Sequence, residues 1–340
     1  MDIDRRGFLR TMSAVGGGLL ASRLAGVPLG EAAVDPTKVT ANLRAGGGTV
    51  GGIGYVEMTG FAKTVGDAYP GIKISVVPGG WIGNVPRTNK GELDLASTTR
   101  IMTKLAVQKK GAFDQDYPNV RGIMNVQDEY QFVAVVRKDF PATTVSDIVR
   151  NKRPARLTTL AKGNATEWIW RTAFEEMGGS WEKLEEWGGK MSHVAWADGV
   201  NLIKDGHADG ILAVVTGKIG WLVDLTTARE MKFLQWDRDL IDHLSKKYGF
   251  VEGTVPAGEF RGQTEPVPAP TDGGVFVARA DLPKEVVYAS LKAVAEHSAK
   301  FKTFHAALAG FKPEAMAQHI GGFPLHDGAR MLYEEKGYLK

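Results

Sequence analysis

At 340 residues the chain is too long for one ordinary hydrophobic core and suits two lobes of about 150 residues each once a leader is removed. Hydrophobic residues make up 43% and charged residues 24%, a globular mix that excludes disordered, collagen-like and coiled-coil chains. Lys and Arg number 42 against 39 Asp and Glu, a net charge of +3 with no dense basic run, so nucleic acid is not an expected partner. The absence of cysteine removes disulfides, thiolate nucleophiles, Cys-ligated zinc, iron–sulfur clusters and thiol-attached haem.

The chain opens with Asp4-Arg5-Arg6-Gly7-Phe8-Leu9-Arg10, paired arginines ahead of a weakly apolar stretch at 11–26 that Gly16, Gly17, Gly18 and Arg23 interrupt. This falls short of the roughly 18 apolar residues a membrane span needs and resembles a twin-arginine export signal. Asp4 stands where Ser or Thr is usual, which leaves the Tat and Sec routes both open. A basic cytosolic helix is the alternative, and the glycine triplet makes a poor helix. Residues 1–33 are therefore expected to be removed on export to the periplasm.

Residues 39–44 read as a strand, 46–54 as a glycine loop, 55–68 as a helix and 72–77 as a second strand, a βαβ opening. Pro78-Gly79-Gly80 breaks that strand, and 93–97 form a short third one. The β-branched and aromatic run 130–136 is a buried strand closed by Pro141, with the first crossover between lobes at its end. A second α/β unit follows, with strands at 156–160, 193–195 and 209–215 and helices at 165–177 and 199–205; 222–225 and 233–236 continue it. The aperiodic Pro- and Gly-rich stretch 256–270 suits a return linker. Residues 274–278 then read as a strand back in the first lobe, and helices at 284–301 and 313–319 close the chain. The expected class is α/β, with two parallel-sheet lobes around a ligand cleft: 34–136 with 274–340, and 137–268, joined by a two-segment hinge.

In such sheets ligands sit at the carboxyl ends of strands, where loops lead into helix N-termini. The first loop, Gly46-Gly47-Gly48-Thr49-Val50-Gly51-Gly52-Ile53-Gly54, contains GxGxxG. A dinucleotide site would also need an acidic residue at the end of the second strand, which runs instead into Pro78; a phosphate loop would need a closing GK[ST]. An anion cradle and a plain tight turn both remain open for it. Gly79-Gly80-Trp81-Ile82-Gly83-Asn84 offers amides, an indole and an amide side chain. Lys162-Gly163-Asn164-Ala165-Thr166 offers helix caps that can also donate to a carboxylate. Seven of the eight tryptophans fall within 168–236 and mostly suit a core, while Trp81 and Trp196 follow strands and are the candidates for stacking on a ligand. Arg87, Arg100, Lys162 and Lys218 are the cations near post-strand loops. The histidines show neither HExxH nor an i, i+4 pair, and no GxSxG occurs, so neither a metal, a cofactor nor a catalytic residue is expected.

Several segments together resemble one family. They are the glycine loop with Thr49 and Tyr55, Pro70-Gly71-Ile72 leading to Gly79-Gly80 and Asn84, and Gly91-Glu92-Leu93-Asp94-Leu95-Ala96. Further along come Lys204-Asp205-Gly206-His207-Ala208-Asp209, Val255-Pro256-Ala257-Gly258-Glu259-Phe260-Arg261-Gly262-Gln263, Val277-Ala278-Arg279-Ala280-Asp281-Leu282-Pro283 and Pro324-Leu325-His326-Asp327-Gly328-Ala329. Over 39–340 the chain resembles the TAXI solute-binding proteins, extracytoplasmic subunits of one class of TRAP transporters with the type II periplasmic binding protein fold. The resemblance implies a non-enzymatic protein that closes on a small carboxylate or amino acid, glutamate or 2-oxoglutarate-like, and delivers it to TRAP permease subunits, its only contact with the membrane. It places ligand contacts on Thr49, Gly51, Gly52, Tyr55, Asn84, Thr98, Asn164 and Thr166. Trp81, Lys162, Trp196, Thr216 and Lys218 join them as candidates from their loops. Trp81 and Asn164 stand where the family usually has Ser, and Thr216-Gly217-Lys218-Ile219 lacks its proline, departures that point to a different ligand. A periplasmic sensor and a small-metabolite enzyme on the same scaffold are the alternatives.

Overall fold

The computed structural model describes residues 34–339, so the expected export segment at 1–33 lies outside the described residues. β1 (Ala41–Gly46) leads through the glycine loop into α1 (Ile53–Ala68), β2 (Ile72–Val77), α2 (Asn84–Asn89), β3 (Leu95–Thr99) and α3 (Arg100–Gln108). Gly51 sits at φ +77°, where a side chain would be strained, and this turn lets Gly52 enter α1 from extended backbone. α1 buries Met58, Phe61 and Val65, and Phe61 meets Phe276 edge-on with ring centres 5.4 Å apart.

β4 (Val120–Arg137), α4 (Ser146–Arg150), β5 (Arg156–Thr159), α5 (Ala165–Glu176), α6 (Trp181–Glu186), β6 (Lys190–His193), α7 (Trp196–Lys204), β7 (Gly210–Val215) and α8 (Gly220–Ala228) follow. Next come β8 (Met231–Leu234), α9 (Arg238–Tyr248), β9 (Val251–Val255) and β10 (Val267–Arg279), with α10 (Lys284–Glu296), α11 (Ser298–Lys302) and α12 (Asp327–Glu335) at the end.

The strands form one mixed sheet in the order β2-β1-β3-β10-β4-β7-β5-β6, with β8 added to β4 and β9 to β10. The α/β class is as expected, and the parallel pairing is confined to two triads, β2-β1-β3 and β7-β5-β6, whose strands are joined by helical crossovers. Between the triads, β10 and β4 run antiparallel to each other and to β3 and β7. β4 serves both sides: Val120 to Gln127 pair with the part of β10 that lies beside β3, and Gln131 to Val136 pair with β7. β10 does the same, pairing with β9 from Val267 to Thr271 and with β3 from Gly274 to Ala278. The β4–β10 register shifts between Asp272 and Gly274, where the Tyr130 hydroxyl occupies the space a Cβ on Gly274 would need.

Several elements differ from expectation for local reasons. The strand expected at 130–136 is only the second half of β4, because Arg121, Gly122 and Asn125 interrupt the apolar pattern of the first half. The strand expected at 193–195 ends at His193, and α7 starts at Trp196 behind Ala195, whose side chain gives no capping signal. Residues 222–225 lie in α8. The expected linker 256–270 is strand from Val267 onward, with Pro268 and Pro270 opposite Thr254 and Glu252 of β9. The helix expected at 284–301 breaks at His297 into α10 and α11, and that at 313–319 is a single 3₁₀ turn, Pro313–Ala315. α12 went unpredicted because its cap is a histidine, His326 Nδ1 accepting from the Gly328 amide at 3.1 Å.

Candidate ligand-binding cleft

The carboxyl ends of β1, β2, β5, β6 and β7 carry the loops that surround a cavity of about 380 Å³ of atom-free space, counted to the solvent at its mouth. Five helices begin on those loops, and four of them open at the cavity wall, α1 after Gly52, α5 after Asn164, α7 after Ala195 and α8 after Ile219. The first amides of a helix have no intrahelical acceptor, and its N-terminus carries roughly half a positive charge. Only α5 has a side-chain cap, Asn164 Oδ1 accepting from the Thr166 amide at 2.9 Å; α1, α7 and α8 have none. The cavity is thus bordered by positive helix ends, an arrangement suited to an anion.

Of the residues expected from sequence, Thr49, Gly52, Trp81, Asn164, Thr166 and Trp196 are brought together in the cavity wall. Asn164 Nδ2 donates to Thr49 Oγ1 at 3.1 Å, so one side chain caps α5 and ties its loop to the glycine loop. Trp81 is stacked on Tyr130 with ring centres 4.8 Å apart, and Trp196 on Trp221 at the same distance. Each indole therefore has one face covered by a partner ring. By contrast, Trp170 and Trp236 stack in the interior and donate to the carbonyls of Ala213 and Phe132.

The other expected residues lie outside the wall. Asn84, fully buried, donates from Nδ2 to the carbonyls of Gly47 and Ser97 at 2.9 and 2.8 Å and holds the glycine loop against β3. Thr98 donates to the Trp81 backbone carbonyl at 2.8 Å and so fixes the main chain from which that indole projects. Tyr55 packs its ring over Gly47, Gly51 forms the exposed turn, and Thr216 donates to Gln127 Oε1 at 2.8 Å. Lys162 and Lys218 are exposed. Among the described residues, then, no charged side chain lines the cavity. Sequence reasoning missed the apolar wall, Ile53, Leu160, Val214 and Ile219, because it searched the loops for polar groups.

Behind the cavity lies a buried acid. Glu57, in the second turn of α1, receives the Tyr130 hydroxyl at 2.5 Å and the Gln127 amide. Burial pushes its carboxyl up to about 8, against the opposing effect of those two hydrogen bonds. Asp272 on β10 is raised to about 6 for the same reason. Among the described residues no group of His, Asp and Glu could hold a metal ion, and no helix is long and apolar enough to cross a membrane.

Two solved structures are similar in fold. The periplasmic binding protein BugD is 14% identical with a TM-score of 0.51, over 87% of this chain and 98% of its own. A structure described as a periplasmic transporter is 12% identical with a TM-score of 0.50, over 87% of this chain and 94% of its own. The model of the NMT1-like family matches residues 45–337, which takes in β2 to β10, the glycine loop and every cavity-lining residue. The chain belongs to the NMT1-like family.

Proposed function

We propose that this protein is a periplasmic solute-binding protein that closes two lobes on a small organic anion and hands it to a membrane permease, of the TRAP type that the sequence resemblance implies. The observation that carries this reading is the convergence of helix N-termini from both parallel triads on one cavity, α1 from one side and α5, α7 and α8 from the other. Closure would bring together residues 34–127 with 274–340 and residues 131–271, a division within β4 rather than at 136, since Gln131 to Val136 pair with β7. The natural pivots are the segments 127–131 of β4 and 271–274 of β10, where each strand changes partners and the register shifts. The Asn164 to Thr49 hydrogen bond supports the same reading, since it joins the two sides in the cavity wall.

Binding is favoured over turnover because general acid or base chemistry needs an ionisable group at the reacting atoms, and the described lining supplies none. The test is thermal unfolding and small-angle scattering on protein stripped of carried-over ligand by unfolding and refolding. A ligand at a hundred times its Kd adds about 2.7 kcal/mol of stability, and closure lowers the radius of gyration. Chemical conversion of the ligand would overturn the reading in favour of an enzyme. So would the failure of every small organic anion to stabilise or compact a well-folded sample.

A further inference from the structure

We infer that the ligand of this cleft is a compact monocarboxylate whose remaining body is flat, apolar and uncharged, such as a small aromatic acid; the inference rests on the solute-binding reading. Three observations carry it. The first is where polar hydrogens gather. A methyl group placed on Gly54, in the first turn of α1, would lie 2.7 Å from Trp81 Nε1 and 2.9 Å from Ser97 Oγ, and one on Gly52 would lie 3.7 Å from Trp196 Nε1. Trp81 is 6% exposed, and its Nε1, like the Ser97 hydroxyl, has no hydrogen-bond partner. Buried indole N–H groups are ordinarily bonded, as those of Trp170 and Trp236 are here. Unpartnered donors beside the uncapped start of a sixteen-residue helix make a seat for one carboxylate.

The second observation is what the rest of the wall lacks. Leu160, Val214 and Ile219 face the cavity, and among the described residues no acidic or basic side chain does. A second carboxylate would lose its hydration against these side chains with no cation to replace it, and an ammonium group would meet positive helix ends. The acids in the first turns do not change this. Glu167 of α5 is bound to Arg171 Nε and Trp181 Nε1, and Asp198 of α7 is exposed outside the lining. The third observation is shape. Two indoles, each backed by a stacked ring, are rigid walls that suit a planar body, and the cavity is narrow, which favours a compact ligand.

The test is calorimetric titration of the stripped full chain with benzoate, phenylacetate, benzamide, phenylethylamine, phenylalanine, succinate, 2-oxoglutarate and glutamate. The expected result is that one of the two aromatic monocarboxylates binds at least a hundredfold more tightly than the dicarboxylates and amino acids, and that benzamide and phenylethylamine bind at least tenfold more weakly than benzoate. Tighter binding of glutamate, succinate or 2-oxoglutarate overturns the inference and leaves the solute-binding reading standing. Preference for the amine or the amide also overturns it. Silence from the whole panel overturns the inference, and the solute-binding reading falls with it only if the wider anion screen is silent too. A second arm locates the site. A side chain on Gly80 would point into the cavity with only Asn164 Nδ2 near, at 3.6 Å, so Gly80→Leu should weaken binding at least tenfold while the melting temperature of the free protein holds. Undiminished binding to a folded Gly80→Leu variant would place the ligand elsewhere and overturn the assignment.

Discussion

Glu57 makes the stability of this protein depend on pH in a direction opposite to that of ordinary salt-bridged acids. Its carboxyl is fully buried, faces Tyr130 and Gln127 from β4, and has no cation among the groups that shift it. The folded chain keeps the proton up to about pH 8, whereas the unfolded chain releases it near the ordinary value of 4.5. Stability therefore falls as pH rises between those values, at about 1.4 kcal/mol per pH unit, and levels off above the folded value. Asp272, raised to about 6, contributes in the same direction only at lower pH. His193, His305 and His326 are held below 6.5 in the fold, so unfolding still takes up protons on them until roughly pH 7.5, and their effect on stability runs the other way. Comparison with a variant that lacks the Glu57 carboxyl cancels the histidines, and between about pH 6.5 and 9 the wild type should lose about 2 kcal/mol relative to it. Glu57→Gln keeps an amide that can donate to the Tyr130 oxygen and accept from Gln127, so it mimics the neutral acid. Its stability at pH 6.5 should lie within about 1 kcal/mol of wild type, and the gap should move by about 2 kcal/mol in favour of the variant by pH 9. Urea unfolding curves of both proteins at half-unit pH steps measure this; a difference between wild type and variant that stays constant over the interval refutes the reasoning.

Other substitutions follow from the same geometry. Asn164→Ala removes both a helix cap and the hydrogen bond to Thr49 and should cost about 1–2 kcal/mol. In a double-mutant cycle with Thr49→Val, followed by denaturant unfolding, the bond should show as a coupling of about 0.5–1.5 kcal/mol, and zero coupling would mean that it adds nothing. Asn84→Ala leaves buried carbonyls of the glycine loop and β3 unpaired, and a loss of about 2–4 kcal/mol together with weaker ligand binding is expected from unfolding and titration. Asp209 is buried, which works against ionisation, yet the Arg156 side chain and amide hold its carboxyl below the ordinary value. Asp209→Asn should therefore cost about 2–3 kcal/mol at neutral pH, and the difference from wild type should shrink as pH falls below about 4, because the wild-type carboxylate then takes up its proton.

The fold was legible where the physical signal is local. The glycine loop between an apolar run and a helix gave β1 and α1, and the run 72–77 matched β2 to the residue. The signal failed where pairing is decided at a distance. Nothing local in Val120 to Gln127 marks it as strand; it is extended because β10 lies beside it, and β10 in turn needs Gly274 to admit the Tyr130 hydroxyl. Pro268 and Pro270 argue for a linker by composition, yet they sit in a strand paired with β9, which runs opposite them from Glu252 to Thr254. α12 was missed because an imidazole does the capping that is ordinarily sought from Ser, Thr, Asp or Asn.

At the site the same division holds, with charge as the misleading feature. Lys162 and Lys218 attract attention as partners for a carboxylate, but each adjoins a glycine with positive φ, Gly163 at +84° and Gly217 at +56°. Those turns leave the lysines in solvent and put the next loop residues, Asn164 and Ile219, into the wall. What replaces the lysines cannot be read from residue types, because it is made of backbone: the amides that open α1, α5, α7 and α8. Their field depends on the absence of a nearby negative charge, and Glu57 lies about one turn into α1. Were it ionised, its charge would offset the positive end that borders the cavity. Burial keeps it neutral at physiological pH, so the acid that weakens the fold at alkaline pH is also the one whose protonation leaves the α1 terminus free to attract an anion.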